Sequence, residues 1–342
     1  MNRVAITGAT GHLGSNLVRA CLAEGLAVRV LVHGGDAELA GLDVERIPGD
    51  VTRADTLDAL VTGVDTVFHL AALISIDGDQ GGRVPAINVG GARNMALAAR
   101  AAGVARFVHV ASVHAFKQRP LEVPINEGRE RVSGPNALAY DRSKAEGEAA
   151  VRAVFADGLN GVVVYPSGVI GPTDPRPSRM GRFFLDLAHR RLPALTPGGF
   201  DWVDVRDVVA TVLAAARLGR PGEGYIASGR WASVQELARI AESITGIPSP
   251  KWTSPMWLAR VGAPFMTLGN RLFGVDPLYT SEALDALEAN HALHHHKAAA
   301  ELGHAPRPIE DTVRDLYAEY AASGRMPAGW TLPASPLPVA TP

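Results

Sequence analysis

Cysteine is nearly absent: Cys21 is the only one in 342 residues. A single thiol excludes an internal disulfide framework and suits a reducing compartment. Neither charge sign dominates, with 33 Lys and Arg against 35 Asp and Glu, so the electrostatic footprint of a nucleic-acid binder is missing. No clean apolar run reaches the ~20 residues of a membrane span. The nearest attempt, 255–273, is interrupted by Arg260, Pro264, Asn270 and Arg271, and fits a cap over a pocket or weak membrane association better. The first residues enter an apolar strand pattern directly, so no signal peptide is expected. A soluble cytoplasmic protein is expected. The length allows one large domain or two intimately joined ones.

Lysine is scarce as well. With four lysines and six tyrosines, roughly 0.07 chance pairs are expected at any one spacing, yet Tyr140-Asp141-Arg142-Ser143-Lys144 provides one at i, i+4. Residues four apart share a helix face, so phenol and ammonium can act on one substrate. Taken alone, the pair is equally well a solvated pair on an amphipathic helix.

A second motif opens the chain. Val4-Ala5-Ile6-Thr7 is a short apolar run, followed by Gly8-Ala9-Thr10-Gly11-His12-Leu13-Gly14 and a helical pattern. Strand, glycine-rich turn and helix in that order form a cradle for a pyrophosphate at a helix N-terminus. Strand patterns then recur at 4–7, 28–32, 45–47, 66–70, 106–110 and 161–165, alternating with helical patterns at 12–24, 55–62, 88–102 and 140–155. That alternation predicts an α/β, doubly wound Rossmann-type parallel sheet. Beyond residue 166 Pro and Gly multiply, and only helices at 206–217, 233–245 and 281–289 and a strand at 225–228 stand out. The expected organisation is a dinucleotide-binding domain over 1–165, with parts of 200–230 returning to it. A mainly substrate-binding region and cap follow over 166–326, then a Pro-rich tail over 327–342 that cannot form a packed core element.

Together these residues resemble the extended short-chain dehydrogenase/reductase family, the epimerase/dehydratase superfamily, over about 3–320. The likeness runs through Gly49-Asp50-Val51, Val67-Phe68-His69-Leu70-Ala71-Ala72, Asn88-Val89-Gly90-Gly91 and Phe107-Val108-His109-Val110-Ala111-Ser112. Past Lys144 it continues through Pro166-Ser167-Gly168-Val169-Ile170-Gly171-Pro172 and Asp201-Trp202-Val203-Asp204-Val205-Arg206-Asp207, which look most like the dihydroflavonol-4-reductase-like branch.

The resemblance implies roles. Tyr140 would exchange a proton with a carbonyl oxygen, and Lys144 would lower its pKa from the ordinary ~10 and bind the nicotinamide ribose. Ser112 would orient the substrate oxygen. Around the cofactor it implies Gly8, Thr10, Gly11, His12, Leu13 and Gly14 at the pyrophosphate, and Asp50 and Val51 at the adenine. Leu70, Ala71, Ala72 and Ala111 would lie along the cofactor, and Pro166, Gly168 and Val169 along the nicotinamide. Asn88 matches a partly structural asparagine at the start of the central helix, and reads equally as an N-cap. The second strand ends in His33-Gly34-Gly35 without the carboxylate that marks NAD selection, which favours NADP(H). Asp36 becomes that acid if the loop folds back.

Departures from the family narrow the chemistry. Dehydratases follow the catalytic Ser/Thr with Asp-Glu; here Val113-His114 follow Ser112. Epimerases usually carry Asn at Gly168 and an Arg near Phe200 that holds a diphosphate. Phe200 offers apolar surface instead, and Trp202 reads best as core. His114, at a strand end, faces the substrate or points away. The His291, His294, His295 and His296 cluster lacks ligand spacing and reads as a solvated face, so no metal is expected. The expectation is an NAD(P)H-dependent reductase of ketones or aldehydes acting on a small-molecule substrate. The alternatives are a sugar epimerase, a 3β-hydroxysteroid dehydrogenase-like enzyme or a cofactor-binding sensor. The Ala-rich helices at 88–102 and 140–155 suggest a homodimer by analogy.

Overall fold

The computed structural model describes residues 1–342 except 77, 262–279, 332 and 334–342. Most of the apolar stretch at 255–273 and most of the Pro-rich tail therefore lie outside the described residues.

Six strands of the first half form where continuous apolar runs can be buried on both faces. They are β1 (Arg3–Thr7), β2 (Ala27–Val32), β3 (Glu45–Pro48), β4 (Thr66–His69), β5 (Arg106–Val110) and β6 (Gly161–Pro166). Val4, Ile6, Val30, Phe68, Val108 and Val164 on these strands are fully buried. With β9 (Gly224–Ala227) they make a parallel seven-stranded sheet in the order β3-β2-β1-β4-β5-β6-β9. The predicted doubly wound sheet is therefore present. β1 pairs with both β2 and β4, so the strand order reverses there and a crevice opens at the C-terminal strand ends.

The loosely patterned second half contains more structure than its sequence suggests. β7 (Gly168–Ile170), β8 (Gly199–Asp204) and β10 (Arg230–Ser233) form a separate three-stranded sheet. Three helices also escaped the pattern: Arg179–Ala188, His296–Leu302 and Ile309–Ala322. The first and last of these enclose a second core with Phe183, Phe184, Leu237, Val313, Leu316, Tyr317 and Tyr320, whereas Ala298 and Leu302 of the middle one join the core of the parallel sheet.

Helical limits also differ from the pattern. The central helix expected at 88–102 begins earlier, with a turn at Arg83–Pro85, a π-helical segment Ala86–Gly91 and an α-helix Ala92–Ala101. Asn88 is thus inside a helical segment and is not an N-cap. After α1 (His12–Ala23), α2 (Asp58–Val61), α3 (Arg83–Pro85) and α4 (Ala92–Ala101), the carrier of the Tyr/Lys pair is helix α5 (Ala139–Ala156), whose Lys144, Gly147, Glu148 and Val151 are buried on one face.

Glu148, one turn beyond Lys144, anchors α5. Its carboxylate accepts from Arg131 at 2.8 and 2.9 Å, from Arg152 at 2.6 Å and from the Tyr165 hydroxyl at 2.6 Å. Burial opposes the charge, but these donors outweigh it and hold the carboxyl below its ordinary pKa. Removing one partner of such a buried network strands the others, at a cost of about 3–5 kcal/mol. Glu148→Ala should therefore lower the thermal midpoint by several degrees in calorimetry, whereas Glu146→Ala on the exposed face should leave it nearly unchanged.

Candidate active site

The turn from β1 into the first helix, α1 (His12–Ala23), is made possible by missing side chains. Gly8 has φ +71°, and a Cβ there would lie 2.8 Å from the Ala71 backbone nitrogen. A Cβ on Gly14 would sit 2.0 Å from the Gly8 carbonyl oxygen. The first turn of α1 thus packs directly on the glycine turn, with its N-terminus facing the crevice. His12 also pins the loop after β7 over α1, because its Nε2 lies 3.1 and 3.2 Å from the carbonyl oxygens of Gly171 and Pro172.

A single cavity of about 1630 Å³ runs from this turn across the strand ends. It exceeds the upper end of the ~300–1,000 Å³ usual for one drug-sized ligand, and so has room for a dinucleotide and a substrate together. Every cofactor or substrate residue expected from the sequence lines it except Asn88. Asn88 instead bonds both backbone groups of Leu73, at 2.7 and 3.1 Å, and the Ser143 hydroxyl at 2.9 Å. It clips the segment after β4 to α5.

At the reacting end, Lys144 is buried with its Nζ 3.2 Å from the Val110 carbonyl oxygen. Burial pulls its pKa down to about 8, with Glu148 opposing. The Tyr140 hydroxyl is hydrogen-bonded with that of Ser112. The expectation that Lys144 lowers the phenol's pKa is not met by the side chains alone. Burial dominates and pushes Tyr140 up to about 12, Asp141 pushes the same way, and the Ser112 hydrogen bond and Arg179 act against them. The phenol is therefore held as a proton donor at neutrality. Beneath Lys144, His69 and His109 stack at 5.5 Å, and burial drives His69 down to about 3 and His109 well below its ordinary value. The two buried rings near Lys144 are thus neutral.

His114 turns inward. Its Nδ1 lies 3.0 Å from Asp141 Oδ1, and its ring stacks on Phe200 at 5.4 Å and meets Tyr140 edge-on at 5.6 Å. Phe200 and Trp202 also explain Gly168. A Cβ at that position would lie 2.7–2.8 Å from both aromatic rings. The absence of Asn at 168 and the presence of Phe at 200 are therefore one coupled packing choice. Trp202 is core on one side, donating its indole N–H to the Ala232 carbonyl at 3.0 Å, and cavity wall on the other.

The end of the cavity expected to take the adenosine differs from expectation. His33 is exposed, with Nε2 3.5 Å from Asp50 Oδ2. Asp36 does not fold back into the cavity; it accepts from Arg46 Nε at 2.7 Å. Arg176, from the loop after β7, instead reaches the cavity lip, with Nη2 3.7 Å from where a Gly35 Cβ would stand, and pairs with Glu38. Sequence reading missed Arg176 because it lies about 140 residues from the strand it approaches, and missed Asp141 although it stands next to Tyr140.

Among the described residues no group of three or more His, Cys, Asp or Glu is placed to hold a metal. The histidine run is not simply a solvated face: His295 is half-buried, with Nδ1 2.8 Å from the Ser228 hydroxyl and its ring against His304. At the rim, Arg260 bonds Asp285 and Glu288, which places the described start of the apolar stretch beside the cavity.

This combination of sheet order, glycine turn and Tyr/Lys pair on one helix has counterparts among known proteins. The model of the NAD dependent epimerase/dehydratase family matches residues 4–227. The chain belongs to that family. It is an NAD(P)-dependent oxidoreductase of the extended short-chain dehydrogenase/reductase type. It is 40% identical over 253 residues to sterol demethylase protein B of Methylococcus capsulatus, covering 73% of this chain and 76% of the relative. It is 33% identical over 259 residues to a putative dihydroflavonol 4-reductase of Synechocystis, covering 74% and 75%. The crystal structure of gox2253 superposes with a TM-score of 0.82 at 32% identity, covering 96% of this chain and all of that one. No helix among the described residues is long and apolar enough to cross a membrane.

The packing of Gly168 against two rings predicts that Gly168→Asn overfills the wall, costing about 1–3 kcal/mol. In a Phe200→Ala background the same Gly168→Asn change should cost less in denaturant unfolding, each variant being compared with its own parent. An equal cost in both backgrounds would show that the Phe200 ring is not what excludes the side chain.

Proposed function

We propose that the chain reduces a ketone or aldehyde, or oxidises the corresponding alcohol, at the Ser112/Tyr140/Lys144 site. The observation that carries this reading is the convergence of two hydroxyls and a buried amine at one end of the cavity, beside an apolar wall of Phe200 and Trp202. That wall suits an uncharged, partly apolar substrate.

The residues present fit a nicotinamide dinucleotide. The glycine turn leaves room for a pyrophosphate at the N-terminus of α1, Asp50 and Val51 line the far end, and Pro166, Gly168 and Val169 line the near end. A bound nicotinamide supplies or accepts the hydride and, when oxidised, adds a positive charge. The chain does the rest. Ser112 and Tyr140 donate hydrogen bonds to the carbonyl oxygen, and Tyr140 passes it a proton as the alcohol forms. Lys144 presents its amine to the cofactor ribose and stabilises any phenolate that results. Phe200 and Trp202 exclude water from the oxygen site.

We further propose NADP(H) as the preferred form. The end of β2 brings no carboxylate, Asp36 is engaged by Arg46, and Arg176 and His33 stand at the lip. A homodimer through α5 and the Ala92–Ala101 helix belongs to the same reading.

The test is oxidation of NADPH and NADH by the purified protein with a panel of aromatic ketones, aldehydes and keto-steroids. At least one member should be reduced, faster with NADPH. Tyr140→Phe should lower turnover on the order of 10²–10⁴-fold while cofactor titration by calorimetry stays within about twofold. Saturable cofactor binding with no turnover of any member would move the assignment to epimerisation or sensing.

A further inference from the structure

The cavity contains a second polar pair that carbonyl reduction does not need. His114 and Ser112 are held in one turn, because the Ser112 hydroxyl accepts the His114 backbone N–H at 3.2 Å. The imidazole is fixed on three sides, by Phe200 stacked 15° from parallel, by Tyr140 edge-on and by the Asp141 carboxylate at Nδ1. The side chains of His114 and Asp141 are only 22% and 14% exposed, so the pair is largely shielded from water. A carboxylate can only accept, so it takes the Nδ1 proton and leaves the lone pair of the neutral ring on Nε2. Nε2 has no hydrogen-bond partner among the described residues, and His114 lines the cavity.

Removing a proton from the carbon beside a carbonyl needs a fixed base with a free lone pair. It also needs donors at the oxygen, where negative charge develops, and a surround that excludes water. Here those requirements fall within one turn of chain and one turn of helix. We propose that the same cavity catalyses proton exchange at the carbon next to a bound ketone, with His114 as the base and Asp141 positioning it. The proposal rests on the carbonyl site assigned to Ser112 and Tyr140.

The step balances without any redox partner. Nε2 takes the proton, the C–H electrons become a carbon–carbon double bond, and the carbonyl π electrons move to the oxygen held by the two hydroxyls. Return of a proton from the imidazolium restores the ketone. Nε2 faces the cavity, so its proton exchanges with solvent between the two transfers and label enters at that carbon. A phenol whose pKa burial has raised remains a donor throughout, as the oxygen site requires.

The experiment incubates the wild-type protein in D₂O with propiophenone, 1-indanone or cyclohexanone, with NADP⁺ or NAD⁺ present, and follows deuterium incorporation by NMR. An oxidised cofactor with a ketone is a redox dead end, so label can enter only by proton exchange. Incorporation should exceed that with heat-denatured protein by at least about tenfold. It should fall to the level of the denatured control in His114→Phe, and in the same direction in Asp141→Asn and Tyr140→Phe. Exchange at the buffer rate with all three ketones overturns the proposal, as does full exchange in a folded His114→Phe. If that variant fails to fold, the wild-type arm and Asp141→Asn still decide. Reduction of these ketones by NAD(P)H without exchange sinks only this proposal; exchange without reduction sinks only the reductase reading.

Discussion

The proposed reaction centre depends on one amine kept out of water. Lys144 sits on the inward face of α5, held by the last carbonyl of β5 and backed by two neutral histidines. Its position fixes that of Tyr140 one turn earlier, and with it the meeting of the phenol and Ser112. The helix is in turn fixed by the Glu148 network one turn later, and by Asn88, which joins α5 to the segment leaving β4. A chain of buried polar contacts thus runs from the second core, through α5, to the strand ends. Each link satisfies groups that would otherwise be costly to bury.

That arrangement also sets the electrostatics. Water exclusion lowers the affinity of Lys144 for its proton and raises that of Tyr140. In the protein alone the phenol is a donor, and the two buried rings near Lys144 are neutral. In the proposed reaction, proton release in the oxidative direction depends on charge brought in from outside the side chains, which couples cofactor form to protonation state. The apolar wall follows the same logic. Phe200 and Trp202 occupy space that a side chain at residue 168 would need, and Phe200 also holds His114 flat.

Much of this was legible before any coordinates. The glycine turn and the apolar alternation are local signals, and they carried the parallel sheet. The Tyr140/Lys144 spacing carried the helix face. What stayed hidden depends on contacts between distant residues. The three strands of the small sheet are three to six residues long, too short to show a period. The π-helical segment reads as ordinary helix until Asn88 is seen to be occupied from two sides. A histidine at a strand end has two directions open, and only Asp141 and Phe200 decide between them for His114. The expected lowering of the phenol's pKa failed because spacing says nothing about desolvation. Arg176 reaches Gly35 from another part of the chain, where no motif announces it.

The proposed reduction requires that a carbonyl carbon receive hydride in this cavity while Tyr140 supplies the proton. Nicotinamide cofactor carrying deuterium at the transferring C4 position tests it directly, with the product examined by mass spectrometry and NMR. The predicted result is one deuterium per alcohol formed, on the carbinol carbon alone. Product without deuterium, or with deuterium on any other carbon, would contradict it.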